Sequence, residues 1–258
     1  MNAPINPSMN GAAPELSIII PAYNEEARLG RTLGRIRDYF AGIGTSADQF
    51  EILVVDDGSK DGTVRVAEEW TRELPMLRVV SNGGNHGKGY SVRHGMLEAR
   101  GRVALFTDAD LSSPIEESEK LLAAIRLGND VAIGSRALDR SMISVRQSRS
   151  RELAGIIFNG FVRIFTGLRY HDTQCGFKAF VRAKSHIVFE QQRIEGFGFD
   201  PEILFLAARH GLRGIEVPVS WAHDPATKVH MIRDSLQMFA DLIYIRWNWL
   251  CGRYPVKR

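Results

Sequence analysis

The chain has 258 residues, 44% of them hydrophobic and 24% charged, which is ample for one large globular unit and excludes a disordered chain. Nowhere do apolar residues run for the roughly 18 positions a spanning helix needs, and a net charge of +3 is too small to argue for nucleic acid, so no nucleic-acid partner is expected. Two cysteines far apart, Cys175 and Cys251, exclude a disulfide framework and zinc-type ligand spacing, and fit a reducing cytoplasm.

Residues 1–14 mix Asn, Pro, Ala and Gly with neither a charged start nor an apolar run, and read as a flexible tail. A β-branched run at 16–21 predicts a strand, followed by Tyr23-Asn24-Glu25-Glu26 and a helical pattern through Leu29, Leu33, Ile36 and Phe40. The unit repeats: strand 50–55, turn Asp56-Asp57-Gly58-Ser59, helix 62–74. Strand 77–80 runs into a glycine-rich stretch, Gly83-Gly84-Asn85-His86-Gly87-Lys88-Gly89, and then a helix to Glu98. Strand 103–106 meets Asp108-Ala109-Asp110 and a helix start at Ser112-Ser113-Pro114, and strand 130–133 ends at Gly134-Ser135-Arg136. This alternation predicts an α/β fold with a mainly parallel sheet and helices on both faces, whose ligands sit outside the carboxyl ends of the strands.

The polar residues fall at those ends. Asp108 and Asp110, at i and i+2, suit a hard divalent cation that bridges to phosphates, although an isolated Asp-x-Asp is more often a turn with a helix cap. Acids for a metal and a ribose, with Lys88 and Arg136 for phosphate, are what a nucleotide diphosphate requires. The glycine run is not a P-loop, because Gly89 stands where Ser or Thr would coordinate magnesium. No Gly-x-Gly-x-x-Gly follows the first strand, which excludes a dinucleotide dehydrogenase.

Pro21-Ala22-Tyr23-Asn24-Glu25, Asp56-Asp57-Gly58-Ser59, Asn85-His86-Gly87-Lys88-Gly89 and Asp108-Ala109-Asp110, in this order, resemble the family 2 nucleotide-sugar glycosyltransferases of the GT-A fold. Asp172-Thr173-Gln174-Cys175-Gly176-Phe177-Lys178 and Gly196-Phe197-Gly198-Phe199-Asp200 resemble the dolichyl-phosphate β-glucosyltransferases and their bacterial polyprenyl-phosphate relatives. The resemblance spans residues 16–246 and implies inverting transfer of a sugar, glucose from UDP-glucose, to a polyprenyl phosphate. It implies that Pro21, Tyr23, Glu25 and Asp57 frame uracil and ribose, that Asp56 orients their loop, and that Lys88, Ala109 and Lys228 lie on the donor side. Asp108 and Asp110 would hold Mg²⁺ or Mn²⁺, with Asp110 the stronger ligand. Ser112 stands where related mannosyl enzymes often carry a Gln ligand, which puts a third protein ligand in question.

An acceptor phosphate changes what the enzyme must supply. With a second pKa of about 6 it is largely dianionic at neutral pH and needs cations in place of a general base. Arg136, Arg149 and Arg151 are the expected clamp. Asp172 and Asp200 are expected to orient sugar hydroxyls, and Asp200 becomes the leading base if the acceptor is a glycan hydroxyl. Within the same fold GDP-mannose or UDP-GlcNAc are the alternative donors. A nucleotide-sugar pyrophosphorylase lacks its early glycine-rich loop here, and a non-catalytic nucleotide-binding module would leave the Asp-Ala-Asp pair unexplained.

The expected organisation is a tail at 1–14, a GT-A catalytic domain at 15–230 and a C-terminal amphipathic helix at 231–258. The stretch 139–170 carries six arginines against two acids and an apolar helical pattern. A core helix explains the spacing, while the arginines at both ends fit a peripheral, membrane-surface helix better. On that reading Phe158 and Val162 face outward, and Trp247, Trp249 and Tyr254 meet the water–lipid boundary.

Overall fold

Three runs of branched aliphatics form the middle of the sheet: β1 (Leu16–Ala22), β2 (Phe50–Asp56) and β4 (Val103–Phe106). The computed structural model describes residues 13–145, 147–223 and 231–256, so all but the last two residues of the expected tail lie outside it. β1 pairs in parallel with β2 on one side and β4 on the other, and β3 (Leu77–Ser81) extends the sheet beyond β2. Every side chain of β2 is buried, because helices cover both faces and leave no need for a polar alternation. Ile18 and Ile20 pack with Leu29, Leu33 and Ile36 of α1 (Glu26–Gly42) on one face. Ile19 turns to the other, against Val92 and Met96 of α3 (Lys88–Glu98).

Between these, α2 (Thr63–Trp70) stops short of the predicted residue 74, since Pro75 disfavours helix at the residue before it. After α4 (Ser118–Arg126) comes β5 (Val131–Ser135), the fifth predicted strand. The chain then makes the short strand β6 (Ile143–Val145) and α5 (Arg149–Thr166) before re-entering the sheet as β7 (Lys178–Val181). β7 inserts between β4 and β5 and runs antiparallel to both. α6 (Arg182–Gln191), α7 (Phe199–Arg209), β8 (Gly214–Pro218) and β9 (Trp221–Ala222) follow, and α8 (Met231–Leu250) ends the described helices. The strand order is β3-β2-β1-β4-β7-β5-β8, and β6 pairs with β9 apart from the main sheet.

α5 and α8 pack together, with Phe239 edge-on to Phe161 and Phe165 at ring separations of 5.1 and 5.8 Å. Their faces differ from expectation. Val162 is fully buried and Phe158 is partly buried against the same core cluster, so these two face inward. The outward residues of α5 are Leu153, Ile156, Ile157, Phe161 and Ile164, and on α8 they are Leu236, Ile243, Trp247 and Leu250. Trp249 turns inward onto Phe205 and Arg209, and Tyr254 is buried, so only Trp247 of the three expected boundary aromatics is exposed. Among the described residues no helix is long and apolar enough to cross a membrane.

Candidate active site

The sheet's direction of winding reverses between β1 and β4, and the loops leaving these two strands diverge to open a cleft there. This cleft, of about 720 Å³, is lined by Pro21, Tyr23, Glu25, Asp57, Lys88, Asp108, Ala109 and Asp110, eight of the predicted donor-side residues. Arg28, Asn85, Phe197 and Asp234 also line it.

Its walls are held by bonds between loops. The backbone N–H of Asn24 donates to Ser59 Oγ at 2.9 Å, and that of Glu25 to Thr63 Oγ1 at 2.7 Å, tying the β1 loop to the β2 loop. Asn24 itself sits at positive φ, as does Leu111 just after the acidic pair, each at a cost of roughly 1 kcal/mol for a residue with a Cβ. Arg28 and Glu25 pair through two bonds of 2.7 and 2.9 Å along one wall. The Asp57 carboxylate accepts from Asn82 Nδ2, His86 N and Gly87 N at 2.8 to 2.9 Å, so it shapes the glycine-rich loop as well as lining the cleft. Asp56 lies outside the cleft lining and accepts from Gly58 N and Ser59 N within its own turn.

The acidic pair is crowded. Thr32 of α1 donates to the carbonyl of Ala109 at 2.6 Å and pins the backbone between the two acids. Burial first, and then the neighbouring Asp108, push the Asp110 carboxyl above its ordinary range, against the opposing Ser112 N–H at 2.8 Å. Lys88 Nζ lies 2.5 Å from Asp108 Oδ1. Burial alone would pull that ammonium down, but Asp108, Asp200 and Asp110 together hold it above its usual value, so it stays charged. Two close carboxylates with oxygen donors and an unfavourable like-charge contact fit a hard divalent ion that also binds diphosphate oxygens. Among the described residues no group of three His, Cys, Asp or Glu forms a ready-made metal cage.

Asp172 and Arg136 lie apart from this cleft, at a second cavity of about 170 Å³ formed by α5, β9 and the 171–174 loop. The guanidinium grips the Asp172 carboxylate at 2.7 and 2.9 Å and stacks 5.3 Å over Trp221. Burial would raise this carboxyl, but the Arg136 charge overrides it and holds the group at about 2. Arg140 and Glu152 form an ion pair among the lining residues. Arg149 and Arg151 lie at the start of α5 with side chains outside the described set, and Lys228 lies outside the described residues.

Asp200 is buried and is not part of the cleft lining. Lys178, fully buried at the head of β7, holds its carboxylate at 2.5 Å and also donates to the Cys175 carbonyl at 2.6 Å. Gly176 completes the junction: a Cβ there would sit 2.2 Å from Asp108 Oδ2, so only glycine lets the 172–176 loop pass beside Asp108. That loop runs from the second cavity to the first.

The sequence profile described as Glycosyl transferase family 2 matches residues 17–187. The chain belongs to this family. It is 37% identical over 253 residues to a dolichyl-phosphate β-glucosyltransferase of Drosophila melanogaster, covering 94% of this chain and 77% of the relative. It is 36% identical over 257 residues to the enzyme of that name from Saccharomyces cerevisiae, covering 93% and 76%. Among solved structures, a glucosyl-3-phosphoglycerate synthase from Mycobacterium tuberculosis superposes with a TM-score of 0.62 at 18% identity, over 95% of this chain and 81% of that one. A mannosyltransferase from Pyrobaculum calidifontis, in complex with GDP-mannose and Mn²⁺, gives 0.58 at 22% identity, over 91% and 67%. The fold of this glycosyltransferase is GT-A.

Several residues that organise the transferase's site carry no motif. Glu216, inside the apolar β8, accepts from Ser135 Oγ, Asp172 N and His171 N at 2.8 to 2.9 Å and sets the second cavity's acidic corner. A glutamate in a strand of otherwise apolar residues was its only signal. Trp221, Arg28 and Asp234 reach the two cavities by tertiary folding, with no signal in their spacing.

Proposed function

We propose that this glycosyltransferase moves glucose from UDP-glucose to a polyprenyl phosphate at a membrane surface. The observation that carries the reading is the pairing of cavities: a metal-compatible donor cleft, and beside it an arginine-containing pocket bordered by Ile156, which is also part of the exposed apolar face of α5. The names of the Drosophila and yeast relatives support glucose as the sugar and a dolichyl-type phosphate as acceptor.

In this reading Tyr23, Glu25 and Asp57 frame the nucleoside, and Asp108 and Asp110 hold Mg²⁺ or Mn²⁺. The ion, when bound, neutralises charge on the departing diphosphate. Lys88 adds a fixed cation on the same side, so bond breaking at the anomeric carbon meets positive charge already in place. The acceptor phosphate enters by the second cavity, where Arg136 offers the guanidinium edge that Asp172 does not occupy. Asp172 fixes that guanidinium and excludes other rotamers. Asp200 is spent on Lys178 and stays out of the cleft lining, which removes the expected leading base for a hydroxyl acceptor, whereas a phosphate dianion needs none. The 139–170 segment and α8 form the membrane-facing part, with apolar side chains entering the interface and basic residues meeting anionic headgroups.

The test uses a panel of labelled UDP- and GDP-sugars, with and without polyprenyl phosphate, followed by extraction into organic solvent. Label from UDP-glucose is expected in the organic phase only when polyprenyl phosphate and Mg²⁺ or Mn²⁺ are both present. Label arriving from GDP-mannose, or reaching a water-soluble glycan instead, would overturn the assignment.

A further inference from the structure

Behind the cleft lies a buried carboxylate that is not among the lining residues and yet governs one of the cleft's walls. Glu202 of α7 is fully buried and accepts four hydrogen bonds from two different parts of the chain. The backbone N–H groups of Arg193 and Ile194 donate to it at 2.8 to 3.1 Å, and the Tyr254 hydroxyl, from the segment after α8, donates at 2.6 Å. The two amides open the 193–198 segment, whose Gly196 and Phe197 line the donor cleft. That segment is also keyed to the glycine-rich loop. Tyr90 N donates to the Glu195 carbonyl at 3.1 Å, and Gly87, at φ 108°, approaches that carbonyl so closely that a Cβ would meet it at 2.6 Å. Lys88, the cleft's cation, is the next residue.

The C-terminal segment is fastened at three more points. Gln191 Nε2 donates to the Pro255 carbonyl at 2.7 Å, Arg193 Nη2 donates to the Arg253 carbonyl at 3.1 Å, and the Arg193 guanidinium lies 5.9 Å over the Tyr254 ring. The segment follows directly from α8, whose outer face carries Leu236, Ile243, Trp247 and Leu250. The lipid-facing helix and the donor cleft are therefore joined by a short path of hydrogen bonds: Tyr254 to Glu202, Glu202 to the 193–194 amides, and the 195 carbonyl to the first turn of α3, which begins at Lys88.

We propose that Tyr254 is a positioning residue for the donor side of the reaction, acting through Glu202 on the 193–198 wall and coupling the C-terminal end of α8 to nucleotide-sugar binding. This rests on the transferase reading above. A tyrosine suits the role because its hydroxyl satisfies one lone pair of a buried carboxylate while its ring packs against Phe205. Coupling of this kind is reciprocal: whatever orders the C-terminal segment strengthens donor binding, and donor binding orders the C-terminal segment.

The test takes the full chain with Mn²⁺ and measures UDP-glucose affinity by calorimetry, the KM values for donor and acceptor, and amide hydrogen exchange. Tyr254→Phe keeps the ring and removes only the hydroxyl. It is expected to weaken UDP-glucose binding and raise the donor KM roughly threefold to tenfold, while the acceptor KM stays within a factor of two. Exchange at 193–198 should speed up, with the β1 and β2 amides unchanged. In the wild type, UDP should slow exchange at 251–256 as well as at 193–198, although the former lies outside the cleft lining; this arm needs no variant and stands if Tyr254→Phe fails to fold. A folded Tyr254→Phe with wild-type donor affinity, or UDP protection confined to the cleft, overturns the coupling and leaves the transferase reading standing. A wild type that binds no UDP-sugar overturns both.

Discussion

Two sets of charge, one buried and one lining the cleft, sit at opposite ends of the same parallel strands. At the amino-terminal end, Glu51 of β2 accepts from Ser17 Oγ and Arg100 N at 2.6 Å and from Arg78 Nη2 at 3.1 Å. At the carboxyl end, Asp108 and Asp110 crowd one another, and Lys88 is asked to serve Asp108, Asp110 and Asp200 at once. The first cluster is complete within the protein. On the reading proposed above a divalent cation joins the second, and that difference separates a charge kept for stability from one kept for chemistry.

Substitution should break the comparison in opposite directions. Asp110→Asn removes a proposed metal ligand and a like-charge contact together, so transfer should fall on the order of 100-fold or more while the melting temperature holds or rises. Transfer into the organic phase and a thermal melt check this, and EDTA should reproduce the loss in the wild type. Glu51→Ala should do the reverse: it leaves the buried Ser17 hydroxyl and the Arg100 amide without their acceptor and Arg78 with Glu98 alone, and should cost about 3 kcal/mol in a denaturant titration. The kcat of its folded fraction should match the wild type. If Glu51→Ala impaired catalysis as strongly as Asp110→Asn, the two ends would not be functionally distinct.

A third experiment uses pH on a charge that is complete and near the chemistry at once. The Asp172 carboxyl, at about 2 in the folded protein against an ordinary 3.8, releases its proton more readily folded than unfolded. Its contribution, about 2 kcal/mol, is fully present above pH 3.8 and is lost as the pH falls through about 2. The stability deficit of Asp172→Asn should thus be constant from pH 7 down to about 4 and shrink below it, as read from denaturation midpoints across that range.

The smallest effect concerns the apolar face near the carboxyl end. Ile157→Ser with Ile164→Ser should reduce sedimentation with anionic vesicles severalfold with little change in melting temperature, because both side chains are already exposed. Val162→Ser, between them in the helix but fully buried, should destabilise the protein instead. A pair of serines that left vesicle binding intact would remove α5 from the membrane interface.

The contrast between Val162 and Ile164 also shows where sequence reading stops. The five parallel strands were legible because each is a branched aliphatic run ending in a polar turn, and the gathering of eight of the predicted donor-side residues in one cleft followed, since such ends converge at a switch point. Helix α5 is apolar around most of its circumference, so periodicity located the helix without saying which side faces α7 and α8; Phe158 and Val162 were placed outward on that ambiguity and face the core. Tyr254 was read as a boundary aromatic because a ring with a hydroxyl suits an interface and a buried acid equally well. β7 was absent from the sequence reading altogether: four residues, led by a lysine, give no strand signal until Asp200 and the Cys175 carbonyl are seen to neutralise it.

That strand also decides how the molecule can be divided. β7 pairs Phe106 with Lys178 and Val103 with Val181, closing a long loop that contains β5 and α5. Until residue 181 has docked, β4 has an open edge and β5 has no neighbour joining it to the rest of the sheet. Such distant pairing is slow to form, because the loop's entropy is lost before the contact is gained. The first five strands, which look like a self-sufficient nucleotide-binding half, are therefore not a separable module. A fragment cut between β5 and β7 would expose two bare strand edges, and aggregation is its expected fate.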